Sequence, residues 1–149
     1  MCEAIEVDFV KLACHSNATH FVQKIVNIFP IEQTSKFLPI ILQNFLTFAT
    51  DKNAMCVLKY QMKKMNQNPK FEPYKELKKQ LIRCITINTD TIIQDSYGNY
   101  IVQFCYELFG SQKSAGITEL ILVRFAQFSM QKYSSSVVLK CVAQYWDDI

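Results

Sequence analysis

The chain has 149 residues, which is enough for one domain or for one short array of structural repeats. Half of the residues are hydrophobic and only three are glycine and four proline, so we expect a mostly helical protein with a sizeable core. Polar residues interrupt every long apolar stretch, which excludes a membrane span, and the acidic N-terminus has no signal-peptide pattern.

The net charge of +3 is unevenly distributed along the chain. Residues 59–83 contain eight basic and two acidic side chains, so the rest of the chain is net acidic. A local basic segment suits a polyanionic partner. A solvated, lysine-rich loop would have the same composition, and both interpretations stay open at this point.

The cysteines contain no Cys-x-x-Cys pair, and most of them fall inside apolar helical patterns. We therefore expect reduced core thiols of an intracellular protein. The six residues concerned are Cys2, Cys14, Cys56, Cys84, Cys105 and Cys141.

The first predicted elements lie within residues 9–43. A short helix is expected to end near Ala13, a polar turn follows, and a second helix begins near Ala18, where a small side chain lets neighbouring helices approach. A third helix is expected to start near Ser35, because Pro39 is tolerated only in a first turn.

The pattern of residues 9–26 returns three times along the chain, which is the signature of a helical repeat. The copies, named repeats A to D, are 9–26, 45–62, 89–106 and 125–142. Each has a polar residue, then a small residue, then an apolar pair that is expected to be buried. The polar residues are His15, Asp51, Asp95 and Gln131; the small ones are Ala18, Ala54, Gly98 and Ser134; the pairs begin at Phe21, Val57, Ile101 and Val137.

Three helices per repeat of about 36 residues predict an all-α fold of the α-solenoid type, in which each repeat buries its apolar face against its neighbours. We assign the whole chain, 1–149, to one domain, with repeats at about 8–43, 44–87, 88–123 and an incomplete 124–149. Several aromatic side chains are expected in the core between repeats, namely Phe9, Phe45, Phe48, Phe125 and Phe128.

The spacing between repeats B and C is eight residues longer than the others, and the extra residues fall in the basic stretch at 65–73. Asn66, Asn68, Pro69 and Pro73 predict a loop there. Repeat C is expected to have its third helix from about Ser114. Because solenoids generally need polar caps at both ends, we interpret the array as part of a longer one, or as a degenerate array capped by atypical ends.

One group of side chains in repeat C suits the recognition of an unpaired base. Asn99 and Gln103 are four residues apart, so both amides lie on one face of the second helix. Tyr100 adds a flat aromatic ring beside them. A base lying on that ring would meet both amides with its edge, which is how unpaired RNA bases are recognised.

Enzyme chemistry has little support in the sequence. Cys14 and His15 are sequential and have no third orienting group, and there is neither a zinc motif nor a phosphate-binding glycine motif. We expect no catalytic residues, no cofactor, no metal and no small-molecule substrate.

The run Asp95–Gln103 closely resembles the base-recognising helix of Pumilio (PUF) repeats, Tyr-Gly-Asn-Tyr-x-x-Gln. Residues 132–142 and 17–24 are similar to other repeats of that family, and the resemblance extends from about Phe9 to Tyr145. It implies a right-handed superhelix of three-helix repeats, whose order looks like the second half of an eight-repeat array. It also implies binding of single-stranded RNA on the concave face, one base per repeat.

Three positions on each second helix are implied to contact RNA: the first and third meet the base edge and the second stacks. By this resemblance they are Thr19, His20 and Gln23 in repeat A; Met55, Cys56 and Lys59 in B; Asn99, Tyr100 and Gln103 in C; and Ser135, Ser136 and Leu139 in D.

The Asn-Tyr-Gln set implies uracil at repeat C, and the antiparallel course of the RNA implies that repeat D meets the base 5′ of it. Repeats B and D depart from the family pattern. Lys59 replaces an amide or carboxylate, Leu139 accepts no hydrogen bond, and Cys56 and Ser136 are poor stacking surfaces. We therefore expect reduced sequence specificity.

The resemblance implies control of mRNA after transcription, usually through 3′ untranslated regions, in the cytoplasm, with protein partners on the convex face. A divergent branch of the family acts in ribosome biogenesis, which would place the protein in the nucleolus. The alternative from another class is a scaffold of HEAT or armadillo type, with the same helical stack and a protein partner.

Overall fold

The structure is a computed structural model that describes residues 2–147, with the side chain of Cys2 excepted, so the prediction for its thiol lies outside the described residues. That range is helical and has no strand. Its helices are α1 (Cys2–Glu6), α2 (Phe9–Cys14), α3 (Ala18–Ile28), α4 (Ile31–Thr34), α5 (Phe37–Gln43), α6 (Phe45–Thr50), α7 (Ala54–Gln67), α8 (Glu72–Ile92), α9 (Gly98–Lys113), α10 (Ala115–Val123), α11 (Phe125–Ser129) and α12 (Ser134–Asp147).

The chain forms two compact units, the first ending at Leu81 and the second beginning at Ile82. The first contains repeats A and B, and the second contains repeats C and D. Helix α8 passes through the boundary.

The first unit is built around an aromatic stack. The ring of Phe9 in α2 lies parallel to that of Phe37 in α5, with centroids 4.4 Å apart, and 5.7 Å from that of Phe48 in α6. All three side chains are fully buried. Repeats A and B therefore share one core, because α2 and α5 belong to A and α6 belongs to B.

The second unit is built around α9 and α12, which pack against each other. At their contact the Tyr106 hydroxyl lies 2.8 Å from Thr118 Oγ1 and donates a hydrogen bond to Cys141 Sγ at 3.4 Å. Burial and the bond to Cys141 raise the pKa of Tyr106 well above the ordinary value for tyrosine. The hydroxyl therefore stays protonated and joins repeats C and D.

The second helices begin at the four predicted small residues. At Gly98 the requirement is strict, because an added Cβ would lie 2.6 Å from the carbonyl oxygen of Ile92. Helices α5 and α10 begin within two residues of the predicted starts, and Pro39 lies in the first turn of α5. Helices α1 and α4 were not predicted, and the helices predicted as the third of repeat B and the first of repeat C form one continuous helix, α8. Within α9 the backbone turns at Gly110, whose φ of 77° favours glycine.

The loop predicted at 65–73 is wrong over most of its length. Helix α7 continues to Gln67, and Met65 on it is buried, because its apolar face extends beyond Met62. Helix α8 starts at Glu72, since a proline is tolerated at Pro73 in a first turn. Only residues 68–71 lie between the two helices.

Two of the expected core aromatics are exposed. Phe125 is 46% exposed, whereas Phe128, one turn along the short α11, is buried. Phe21 is 53% exposed, whereas the equivalent Val57, Ile101 and Val137 are buried. The four residues hold the same place in the repeat pattern, so their different burial depends on which elements pack over each helix.

Among residues 3–147, Cys105 and Cys141 are buried and Cys14, Cys56 and Cys84 are partly buried, all as free thiols. Burial raises the pKa of Cys14 and of Cys84. No helix in the described part of the chain is long and apolar enough to cross a membrane.

Candidate nucleic-acid interface

Polar side chains fix the start of three second helices. Asp51 Oδ1 accepts hydrogen bonds from the backbone N–H groups of Asn53 and Ala54, both at 2.8 Å. Asp95 Oδ1 accepts the same pair of bonds from Tyr97 and Gly98 at 2.8 Å.

Repeat A uses an imidazole in this place. His15 Nδ1 accepts from the backbone N–H groups of Asn17 and Ala18 at 3.2 Å. In repeat D, Gln131 Oε1 accepts a bond from the Ser134 hydroxyl at 2.9 Å. In repeats A, B and C the polar column therefore satisfies free N–H groups at the helix starts, a role that sequence reasoning missed although the column itself was visible.

In repeat C the predicted amide pair is fixed by hydrogen bonds to the backbone at the start of the helix. Asn99 is only 3% exposed, and its Nδ2 donates to the carbonyl oxygens of Asp95 at 2.8 Å and Ser96 at 3.0 Å. Gln103 Nε2 donates to Asn99 Oδ1 at 3.0 Å. Gln103 is partly exposed, and the ring of Tyr100 is 50% exposed. The ring and the outer amide are therefore the accessible parts of the set, and Asn99 orients the outer amide.

Repeat A has the same arrangement with different residues. Thr19 is buried, its hydroxyl donates to the carbonyl oxygen of Asn53 at 3.2 Å, and it accepts from Gln23 Nε2 at 3.1 Å. His20 is exposed beside them. Repeats A and C thus share a buried first residue, an exposed ring and a glutamine oriented across one helical turn.

The residues predicted for repeat B form no such set. Met55, Cys56 and Lys59 are partly buried, and the Cys56 thiol is 3.8 Å from the carbonyl oxygen of Lys52.

Repeat D also lacks an amide pair. Ser135 donates to the carbonyl oxygen of Lys132 at 3.3 Å, Ser136 is exposed, and Leu139 is 72% exposed. The predicted residues of repeats A and C therefore form ordered sets that include a glutamine, whereas those of repeats B and D include no amide side chain.

A feature of the first unit was missed from the sequence. A cleft of about 230 Å³ lies between the end of α3 and the outer half of α7. It is lined by Val26, Asn27, Tyr60, Lys63, Lys64, Gln67 and Asn68. The sequence showed the lysines, but their place beside α3 depends on packing. The described residues contain no cluster of three or more metal-binding side chains.

A sequence profile of the Pumilio-family RNA binding repeat matches residues 8–38, 88–115 and 124–144, which is more than half of the chain. The matched segments lie in repeats A, C and D, and repeat B falls outside them. A Pumilio domain-containing protein of Schizosaccharomyces pombe is 27% identical over 139 residues, which cover 93% of this chain and 19% of that protein. Pumilio homolog 12 of Arabidopsis thaliana is 30% identical over 142 residues, which cover 93% of this chain and 22% of the homolog.

Solved structures give the same fold. PUF-6 in complex with 5BE13 RNA superposes with a TM-score of 0.88 at 18% identity, over 96% of this chain and 42% of that one. Yeast Puf5p bound to AAT2 RNA gives 0.79 at 20% identity, over 97% and 40%. This chain spans about a fifth to a quarter of the length of the curated relatives. Its fold is the α-solenoid of PUF domains, and with three matched repeats the chain belongs to the family of Pumilio-type RNA-binding repeats.

Proposed function

We propose that this chain binds single-stranded RNA through the exposed faces of its second helices, and that repeat C selects uracil. The observation that carries the proposal is the ordered set of Asn99, Tyr100 and Gln103, with the amides bonded to each other beside a half-exposed ring.

The chemistry of this set suits a base with both a donor and an acceptor on its edge. Uracil presents carbonyl oxygens and one N–H group, and the Gln103 amide both donates and accepts. The Tyr100 ring supplies a stacking surface worth about 1–3 kcal/mol per base. Asn99 is fixed by hydrogen bonds to the backbone oxygens of the preceding turn, and it orients Gln103. The Gln103 amide therefore loses less conformational entropy when a base binds.

Repeat A is the second base-selecting position in this proposal. Its Thr19–Gln23 pair and the His20 ring repeat the arrangement of repeat C. Repeats B and D accept any base, because neither Lys59 nor Leu139 belongs to an amide pair. One base per repeat with two selective positions gives a preference for short motifs and tolerance elsewhere.

The biological role we propose is control of mRNA after transcription, in the cytoplasm. One structure with the same fold is a Puf4 RNA binding domain bound to an RNA 3′ UTR recognition sequence, which supports the proposal of a role at 3′ untranslated regions. In contrast, the weak specificity that we propose for repeats B and D favours the alternative role in ribosome biogenesis.

The test is a titration of the 149-residue chain with short RNAs that differ at one base. Asn99→Ala combined with Gln103→Ala should remove the preference for uracil at one position, which is worth about 1–3 kcal/mol. The control is Gln112→Ala with Gln127→Ala, which removes two exposed amides elsewhere in the second unit. Absence of RNA binding by the unmodified chain, or an unchanged uracil preference in the double variant, would reject the proposal in favour of a protein-binding scaffold.

A further inference from the structure

We infer that the lysine-bearing face of α7, together with the cleft beside it, binds the phosphate backbone of the RNA, so that repeat B grips the strand without selecting a base. This inference rests on the proposed function and assigns a task to the repeat that lacks a base-reading set.

The lysines lie on one face of the helix. Lys52 lies two residues before α7, and Cys56, Lys59 and Lys63 follow at intervals of three or four residues, which keeps them on one side. Cys56 and Lys59 occupy the second and third family positions, so this is the face that repeats A and C use for their ordered sets. Tyr60 is 36% exposed beside them, with Lys63 Nζ 6.0 Å from its ring centroid.

The cleft places two of these side chains against the neighbouring helix. Tyr60 and Lys63 line it from α7, and Asn27 lines it from α3. Lys64 donates hydrogen bonds to the carbonyl oxygens of Val26 and Phe29, so its ammonium is fixed at the end of α3. Burial lowers the pKa of Lys64, and nearby Glu32 acts in the opposite direction.

Charge distinguishes this pair of helices from the equivalent pair in the second unit. Helices α3 and α7 carry four lysines and no carboxylate. Helices α9 and α12 carry two lysines and two carboxylates. At the position of Lys63, repeat C has Glu107, which forms an ion pair with Lys140 at 2.8 Å. The α3–α7 pair of helices therefore has a net charge of +4, whereas the charges of the α9–α12 pair cancel.

A phosphate is the ligand that this chemistry favours. Lysine is a compact point charge with three donors, which suits phosphate oxygens and does not distinguish bases. Phosphate contacts release counterions, so each one adds about 0.7 to the slope of log affinity against log salt concentration for a single strand. Asn27 and Gln67 offer neutral donors at the same cleft. The lysine side chains thus predict a salt-dependent contribution that the amide sets of A and C do not make.

The experiment measures RNA affinity of the 149-residue chain between roughly 50 and 200 mM salt, the range in which phosphate contacts dominate the slope. Lys59→Gln with Lys63→Gln should lower the magnitude of the slope by about 1.4, which is two contacts at about 0.7 each, and leave the uracil preference at repeat C unchanged. The matched control is Lys75→Gln with Lys79→Gln, which removes the same charge from exposed positions on α8 in the same basic segment. Far-ultraviolet circular dichroism melts confirm that both variants fold.

A slope that stays at the unmodified value in the α7 variant overturns the inference, and so does an equal fall in the α8 control. The proposed function stands, whatever the lysine variants show, if the unmodified chain binds RNA and the double variant Asn99→Ala, Gln103→Ala loses the preference for uracil. If the unmodified chain binds no RNA, the proposed function itself fails, so the two failures are distinct.

Discussion

Helices α7 and α9 are the second helices of consecutive repeats, and they have the same scaffold but different exposed chemistry. Asp51 and Asp95 bond the two helix starts identically, and the apolar pairs Val57–Leu58 and Ile101–Val102 are buried in both. On the exposed face, α9 carries the Tyr100 ring and the Gln103 amide, which the buried Asn99 orients, and α7 carries lysines. The repeat scaffold and the recognition surface are therefore separable, because the scaffold depends on buried residues and helix caps alone.

The largest expected effect concerns the aromatic ring at the proposed stacking position, where α9 has Tyr100 and α7 has Cys56. Tyr100→Ala should lower the affinity for every RNA by up to about 3 kcal/mol, because stacking acts on the face of any base. Tyr145→Ala serves as the control, since Tyr145 is 56% exposed but lies outside the three recognition positions. Isothermal titration with RNAs of different sequence measures the change, and a loss confined to one base would contradict stacking.

One difference between the two scaffolds lies at the helix start, where α9 begins with glycine and α7 with alanine. Gly98→Ala should destabilise the chain by about 2 kcal/mol, because its Cβ would press on the Ile92 backbone. Ala54→Gly should cost at most about 1 kcal/mol, chiefly through backbone entropy. Denaturant unfolding gives both values; equal stability of Gly98→Ala and the unmodified chain would refute the steric argument.

A transplant converts the surface of α7 into that of α9. Met55→Asn, Cys56→Tyr and Lys59→Gln together should create a preference for uracil at the base 3′ of the one bound by repeat C. RNA with uracil at this position should bind about tenfold more tightly than RNA with another base, a difference of about 1.4 kcal/mol in binding free energy. The reason is that Asp51 and Asp95 fix the starts of the two helices in the same way. Lys59→Gln alone is the control and should give no preference. Competition binding with four RNAs that differ only at this base measures the preference, and equal affinity for all four would contradict the prediction.

The smallest effect tests the feature that the two helices share. Asp51→Ala and Asp95→Ala should each cost about 1 kcal/mol, since each removes two bonds to free N–H groups at a helix start. Asp51→Asn and Asp95→Asn keep an acceptor oxygen and should cost less. Thermal melts of the four variants measure this, and a large difference between the two alanine variants would mean that the scaffolds are not equivalent.

Several features of the fold were predictable because they depend on local chemistry. Gly98, Ala54 and their counterparts mark the starts of the second helices, and at Gly98 an added Cβ would collide with the backbone of Ile92. The spacing of Asn99 and Gln103 places two amides on one face. Both inferences need only the geometry of a helix and the repetition of a pattern.

Other features depend on which element covers a residue. The sequence placed Phe21 and Phe125 in the core with the other aromatics, yet both are exposed, whereas Phe9 and Phe48 are buried. Periodicity tells which way a side chain points, but not whether a helix lies there to cover it. The same limit applies to the cleft beside Lys63, whose second wall comes from α3.

By itself the sequence determined the repeat period and the starts of the second helices, because both follow from a local pattern that recurs along the chain, whereas the proposed recognition positions came from the resemblance to Pumilio repeats. Only the tertiary structure decided that the Thr19 hydroxyl of repeat A bonds to the Asn53 carbonyl oxygen at the start of repeat B, and that Lys64 bonds to the end of α3. Those contacts join residues through the packing of separate turns and helices, and no spacing along the chain specifies which partners will meet.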